Sequence, residues 1–400
     1  MTIQKQGSVI GGILLIAGSC IGAGMLGLPI LTGLVGFFPS LILFGIAAFF
    51  MTTTALMLVE VNGWFSGRTN FITMVSDMLG PTCKIACWVL YLFLFYALSV
   101  AYIADSGHHV TSFFKAFGAS LPIWAGSTFF VILFGWIVYF GTRSVDLVNR
   151  FLMAGKIIAY IALLIAGIGY VKFELLQEVH IEYTLAALPI LIISFGFHNM
   201  IPTLSHYLGG DIKRIRISII GGALFALTVY LFWQLIALGS LPIQGKDGIL
   251  ESYSKGMDAA SALKNYVSSP WIGNFAQILA FFAILTSFLA QTLSLVHFLS
   301  DGFKIPHKSK ENIWICIVTL IPPLIFASLY PSIFYQALGF AGGICAVILF
   351  GIFPVLMTWR GRYQRQITSS YQVAGGKSLL ILICAVALFI LTYQIIQMIY

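Results

Sequence analysis

A chain of 400 residues that is 60% hydrophobic and only 8% charged excludes a soluble globular protein, in which about a quarter of residues are charged. Its formal net charge of +8 invites a nucleic-acid partner, but in so apolar a chain positive charge is first a signal of topology, and no nucleic acid is needed to explain it. The class that remains is an all-α polytopic membrane protein embedded in a lipid bilayer.

Only Lys5 precedes the first apolar stretch, which runs far beyond a signal-peptide core, so no cleavable signal is expected. That stretch covers residues 9–37. As one straight helix it would extend about 44 Å, well over a hydrocarbon core of ~30 Å. It also carries Gly18, Gly22, Gly24, Gly27 and Pro29. A helix interior loses about 1 kcal/mol per glycine and about 3 kcal/mol per proline. In a membrane such residues are tolerated where the freed backbone groups find partners in protein or in a wet cavity. Two half-helices with an unwound middle near 18–29 are expected.

Further runs long enough to span fall at 38–62, 84–106, 122–141, 149–171, 185–206, 217–240, 271–300, 313–330, 332–358 and 378–398, making eleven. The sixth is interrupted between Ser194 and Pro202. Breaks in spans one and six imply two five-span units. Five is odd, so the second unit enters the membrane from the opposite side. Residues 1–171 and 185–358 then form inverted repeats, with 378–398 an appended helix. Paired interrupted segments in two halves point to the binding site of a secondary transporter. A channel would show a filter loop or a ring of charges, and an ATP-driven pump a GxxxxGK[ST] loop; the sequence holds neither. Alternate connections carry fifteen Lys and Arg on one side and five on the other, Lys156 excluded. This places the N-terminus in the cytoplasm and, after eleven spans, the C-terminus in the periplasm.

At the first break, Gly22, Ala23, Gly24 and Met25 can offer backbone N–H groups and the positive end of the second half-helix to a carboxylate. Close helix packing on small residues is the plainer use of the same glycines. At the second break, Ser194, Phe195, Gly196, Phe197, His198 and Asn199 interleave polar and aromatic side chains, as a site for an ammonium group and an apolar side chain requires. His198 is equally read as a satisfied bundle residue. Lys156 lies about 9 Å along the helix from Arg150, within reach of the headgroups by snorkelling. Alternatively it is a buried ammonium that loads and releases a proton during transport. Thr286 and Ser287, with Gln291 a turn later, can join a cation site or bond Lys156. Tyr91, Tyr96 and Tyr102 run along span three; Tyr96, near mid-membrane, is the one expected at the substrate. Glu60 suits a gating ion pair or a solvated helix end. Arg143, Asp146 and Arg150 are spaced for an ion-pair patch. The six cysteines form no disulfide framework, and no metal set or cofactor is expected.

The segment Ile21-Gly22-Ala23-Gly24-Met25-Leu26-Gly27-Leu28-Pro29 resembles the bacterial aromatic amino acid permeases, which include tyrosine-specific and tryptophan-specific transporters. The resemblance extends over nearly the whole chain, through Gly141–Arg150, Ser194–His198, Thr286–Leu289 and Pro322–Ala327. The family pattern has Ala or Ser at Gly27 and Ala-Gly at Gly33-Leu34. The resemblance implies eleven spans, a five-plus-five inverted repeat akin to the leucine-transporter fold, and proton-coupled uptake of an aromatic amino acid, tyrosine foremost, across the inner membrane. It also implies that Lys156 takes the place a sodium ion holds in relatives. The alternatives are a tryptophan or general aromatic permease, a sodium-coupled symporter and, in another class, an amino-acid-sensing transceptor, for which no signalling domain or long tail is legible. No nucleophile–base constellation suggests an enzyme.

Overall fold

The computed structural model describes residues 7–22, 24–65, 69–305, 311–368 and 371–399, and the regular elements among them are all helical. Ala23 of the expected site, and Lys5, Arg68, Lys308 and Lys310 of the charge count, lie outside the described residues.

Helix α1 (Val9–Cys20) starts at Ser8, whose hydroxyl accepts the Gly11 amide at 3.0 Å. The chain leaves the helix at Ile21, and α2 (Gly24–Gly33) resumes with a 60° bend. Next come α3 (Phe37–Asn62) and α4 (Phe71–Leu79). Capped by Asn70, α4 stands in place of the plain connection expected there. Helix α5 (Pro81–Ala116) continues ten residues past its expected end at 106. Then follow α6 (Ile123–Tyr139), α7 (Thr142–Gly167) and α8 (Phe173–Leu176). The second broken element is α9 (Leu188–Ser194) followed by α10 (Ile201–Tyr207). Long α11 (Ile212–Ser240) and α14 (Pro270–Gly302) flank a connection that holds α12 (Ile249–Ser254) and α13 (Ala259–Tyr266). The chain ends with α15 (Ile313–Leu329), α16 (Phe334–Phe340), a π-helical stretch Ala341–Ile352, α17 (Phe353–Trp359) and α18 (Gly376–Ile399).

Among the described residues, eight helical units are long and apolar enough to cross a membrane, and the bent pair α1–α2 makes a ninth. The apolar helices α6 and α15 have 17 residues each. Large apolar side chains such as Ile132, Trp136, Phe151, Ile158 and Ile165 are exposed along α6 and α7, an outer surface suited to lipid rather than water.

Helix directions follow from the contacts. α1–α2 runs parallel to α11, since Val9, Cys20, Met25 and Thr32 meet Ser218, Tyr230, Trp233 and Gln234 in that order. It runs antiparallel to α9–α10, because Gly27 faces Ile190, Gly24 faces Ser194 and Gly7 bonds Tyr207. α5 and α14 are antiparallel, with Trp88 on Phe298 and His109 on Gln277. α3 lies parallel to the π-helical and α17 unit, from Phe50 against Gly351 to Glu60 on Arg362. The π-helical stretch comes so close to α9 that a Cβ on Gly342 would stand 1.9 Å from the Pro189 carbonyl oxygen, so only glycine fits there.

Glu60 proves to be a buried ion pair, 1% exposed, rather than a solvated end. Arg362 grips its carboxylate with two nitrogens, and the Val373 amide donates to it at 2.8 Å. This fastens α3 to the last third of the chain with every charge answered, the condition under which a buried pair is tolerated. Asp146 and Arg150 pair on the surface at 2.9 Å.

Candidate functional site

A helix that unwinds in mid-span strands carbonyls whose amide partners have moved away. Three side chains answer those at the first break. The Lys156 ammonium, 4% exposed on α7, donates to the Ile21 carbonyl at 2.6 Å; it is turned inward, so the snorkelling alternative does not describe it. The Tyr230 hydroxyl on α11 lies 2.7 Å from the Cys20 carbonyl and 2.7 Å from the Ser194 carbonyl. One proton thus serves the last carbonyl of α1 and the last of α9, tying the two breaks together. The Trp233 indole N–H donates to the Met25 carbonyl at 2.9 Å. Four residues beyond Met25 is Pro29, which has no N–H to give; the indole supplies the missing donor.

Between the breaks lies a cavity of about 110 Å³. At the ~30 Å³ a water occupies in the liquid, it has room for about four waters or a compact organic group. One wall is small and polar, formed by Ser19, Cys20, Gly22 and Gly24 from the first break and Ser194, Gly196 and Asn199 from the second. The rest of the lining is largely aromatic and aliphatic, with Tyr91, Phe95, Leu98 and Tyr102 from α5 and Phe350 from the π-helical stretch. Ser287 and Gln291 on α14 complete it. A Cβ on Gly22 would fall 2.5 Å from the Ser287 hydroxyl, so that glycine keeps open the space between α14 and the first break.

Three polar atoms of the lining residues are buried and have no hydrogen-bond partner among the described residues: Ser194 Oγ, Tyr91 Oη and Gln291 Nε2. Each such atom costs about 1–3 kcal/mol if left bare, so three around one cavity mark a place that a polar molecule or waters must occupy.

Of the residues expected at the site, Gly22, Gly24, Ser194, Gly196, Asn199 and Ser287 line this cavity. The others stand back from it. Met25 is fully buried and contributes its carbonyl to Trp233. Phe195 packs edge-on against the Tyr230 ring at 5.3 Å, and Phe197 is fully buried. His198 lies one ring behind the wall, stacked on Phe350 at 4.9 Å and 9° and bonded through Nε2 to Thr54 at 2.8 Å. The Thr286 hydroxyl donates to the Ala283 carbonyl, not to Lys156.

Tyr96 is a correction. It does not line the cavity; its hydroxyl donates to the Val318 carbonyl at 2.8 Å. Val318 precedes Pro322 by four, so Tyr96 fills the vacancy that this proline opens in α15. The face of α5 that does line the cavity runs through 91, 94, 95, 98 and 102. This helical stripe was available in the sequence, and Tyr96 sits about 140° around from Tyr91 on it. Gln291 shares a face with Ser287 one turn earlier.

Comparison with known proteins adds the following. The family model described as the tryptophan/tyrosine permease family matches residues 5–394. The chain is 32% identical over 392 residues to a tryptophan-specific transport protein of Haemophilus influenzae, covering 94% of this chain and 93% of that protein. It is 32% identical over 382 residues to tyrosine-specific transport system 2 of the same organism, with the same coverage of 94% and 93%. A low affinity tryptophan permease of Escherichia coli is 27% identical over 373 residues, covering 90% and 88%.

Proposed function

The chain belongs to the tryptophan/tyrosine permease family, and we propose that it imports an aromatic amino acid, tyrosine foremost, across a bacterial inner membrane by proton-coupled alternating access. The observation that carries this reading is the cavity with Ser194 Oγ, Tyr91 Oη and Gln291 Nε2 unanswered around it. In this reading the substrate carboxylate meets the backbone at Gly22–Gly24 and the start of α2. The ammonium meets Ser194 and the freed carbonyls of the second break. The ring lies among Tyr91, Phe95, Tyr102 and Phe350, and Gln291 or Tyr91 bonds its phenol. Because Phe195, Phe197 and His198 stand behind the wall, they shape the pocket and do not touch the ligand.

Eleven spans in two inverted five-span units, the N-terminus cytoplasmic, are the topology we propose. The observed directions support it: spans one and six are antiparallel, one and seven parallel, two and ten parallel. The helix contacts also persist when the two units are exchanged. α1 on α11 is matched by α9 and α10 on α3, α7 on α14 by the π-helical stretch on α5, and α6 on α14 by α15 on α5.

Lys156 supports proton coupling by its position: a buried ammonium against the free end of a broken helix, with no carboxylate paired to it among the described residues. Losing the proton removes the charge from the bond to Ile21, and the weakened bond lets that end move. Two further readings have specific support. Tryptophan is favoured by relatives of that name at the same identity. Sodium is favoured by the Ser287 hydroxyl beside Gly22.

The test is uptake into proteoliposomes under separately imposed proton and sodium gradients, with labelled tyrosine in competition with tryptophan and phenylalanine. Accumulation under the proton gradient alone, inhibited best by tyrosine, is expected. Uptake that responds only to sodium sinks the coupling, and stronger inhibition by tryptophan reassigns the cargo. Gly24→Val, whose side chain would press on Ser194 Oγ from a Cβ already 3.3 Å away, should remove binding; retained affinity would leave the first break a packing seam.

A further inference from the structure

One buried polar cluster has no place in the transport reading. Asp105 and His109 stand one turn apart on α5, and Asp258 is the N-cap of the loop helix α13, 149 positions from His109 in sequence. Asp105 and Asp258 are 0% exposed and His109 is 6% exposed. His109 Nε2 lies 3.2 Å from one oxygen of Asp258 and 3.9 Å from one of Asp105. The other Asp258 oxygen accepts the Ser261 amide at 2.8 Å.

A count of donors shows what is missing. His109 Nδ1 faces the side-chain oxygen of Gln277 at 3.2 Å, an acceptor, so Nδ1 carries a hydrogen. Even a doubly protonated ring then has one N–H left, and Asp258 takes it. Asp105 receives nothing: both its oxygens are buried without a hydrogen-bond partner among the described residues. The neighbouring cations and rings are engaged elsewhere. The Lys264 ammonium, on α13 itself, bonds Ser112, His108 turns to the Pro331 carbonyl, and the Tyr335 hydroxyl donates to Met257.

We propose that Asp105, His109 and Asp258 bind a first-row divalent cation of the Zn2+ type and that the ion bridges α5 to α13. One donor atom from each side chain can be chosen so that all lie within 4.8 Å of one another, and donor atoms around tetrahedral Zn2+ sit about 3.4 Å apart, so small movements close the set. A neutral imidazole and two carboxylates carry two negative charges, which a divalent ion cancels in a buried site. The Gln277 oxygen on Nδ1 is the outer partner that orients a metal-binding imidazole with its Nε2 lone pair toward the ion. α13 also packs against α2 and α14. An ion held here therefore fixes the loop helix over one end of the broken first span.

The experiment uses the full chain purified in detergent and stripped with a chelator. Titration with Co2+ should give one saturable site per chain with visible absorption of N/O coordination, displaced by Zn2+. Asp105→Asn and His109→Gln should weaken it on the order of tenfold or more. Zn2+ should raise the thermal midpoint of the native protein and leave that of Asp105→Asn unmoved. Absence of stoichiometric Co2+ binding, or binding unchanged by Asp105→Asn, overturns the proposal. A cluster that answers its charge with protons alone would make the midpoint of the native protein follow pH and ignore Zn2+, and that too overturns it. Should the substituted proteins fail to fold, the native protein with and without Zn2+ still decides.

Discussion

The two breaks are held by different means. At the first, the Cys20, Ile21 and Met25 carbonyls take donors from Tyr230, Lys156 and Trp233, side chains brought in by α7 and α11. At the second, the Ser194 carbonyl shares Tyr230, but the next turns close on their own backbone. Gly196 bonds back to Ile193 at 3.0 Å and Phe197 to Phe195 at 3.1 Å. His198 is wedged between the rings of Phe197 and Phe350. Both breaks make local turns, Gly22 bonding Cys20 at 2.8 Å and Met25 bonding Gly22 at 3.2 Å at the first. What sets the first apart is its three side-chain donors from other helices, one of them charged, where the second adds ring packing. In the reading proposed above, a change in protonation at Lys156 releases the first break. In that reading substrate contacts both breaks and the coupling ion acts on one.

The largest expected effect tests that asymmetry. Lys156→Ala removes the ammonium from the Ile21 carbonyl, a charge-assisted bond of about 1.5–3 kcal/mol, and with it the group that would carry the proton. Gradient-driven accumulation should be abolished while counterflow exchange of labelled substrate survives. If pH-dependent accumulation persists in this variant, Lys156 is a structural donor only. Tyr230→Phe comes next, since it strands the Ser194 carbonyl and leaves the Cys20 carbonyl with only the Gly22 amide at 2.8 Å. A bare buried polar group costs about 1–3 kcal/mol, and the upper end is expected here, read as a lower thermal midpoint in detergent. Substrate affinity should fall as well, because Cys20 and Ser194 both line the cavity. Lost stability with unchanged affinity would show that the two breaks keep their spacing without the shared hydroxyl.

The breaks themselves were legible because glycine and proline at Gly22, Gly24, Pro29, Gly196 and Pro202 act on the backbone at their own positions. The positions of the long apolar helices were also legible, since hydropathy is local, but their limits were not, as α5 runs ten residues past 106. What the sequence withheld was which donor answers which orphan carbonyl. Pro29 and Pro322 announce that the carbonyls of Met25 and Val318 need partners, but nothing local says that Trp233 and Tyr96 supply them. Tyr96 was therefore expected at the substrate when it serves a proline. The Asp105–His109–Asp258 cluster stayed hidden for the same reason. Its members are joined only where side chains of α5 reach the N-cap of a loop helix, and that connection reads as a polar linker between spans.

The smallest effect isolates one of these long-range donors. Trp233→Phe keeps most of the ring volume and removes the indole N–H from the Met25 carbonyl, which should cost about 1 kcal/mol, the lower end for a bare buried group. In a Pro29→Ala background the new backbone N–H of residue 29 can close the ordinary helical bond to that carbonyl. Trp233→Phe should then cost measurably less, and the difference between the two backgrounds is the coupling energy of a double-mutant cycle. Thermal midpoints of the four proteins read it directly. Equal costs in both backgrounds would mean that Trp233 stabilises the first break by packing alone, which would make that break resemble the second. A clear coupling would fix the indole as a substitute backbone donor, and the first break as one whose shape is set by side chains from another helix.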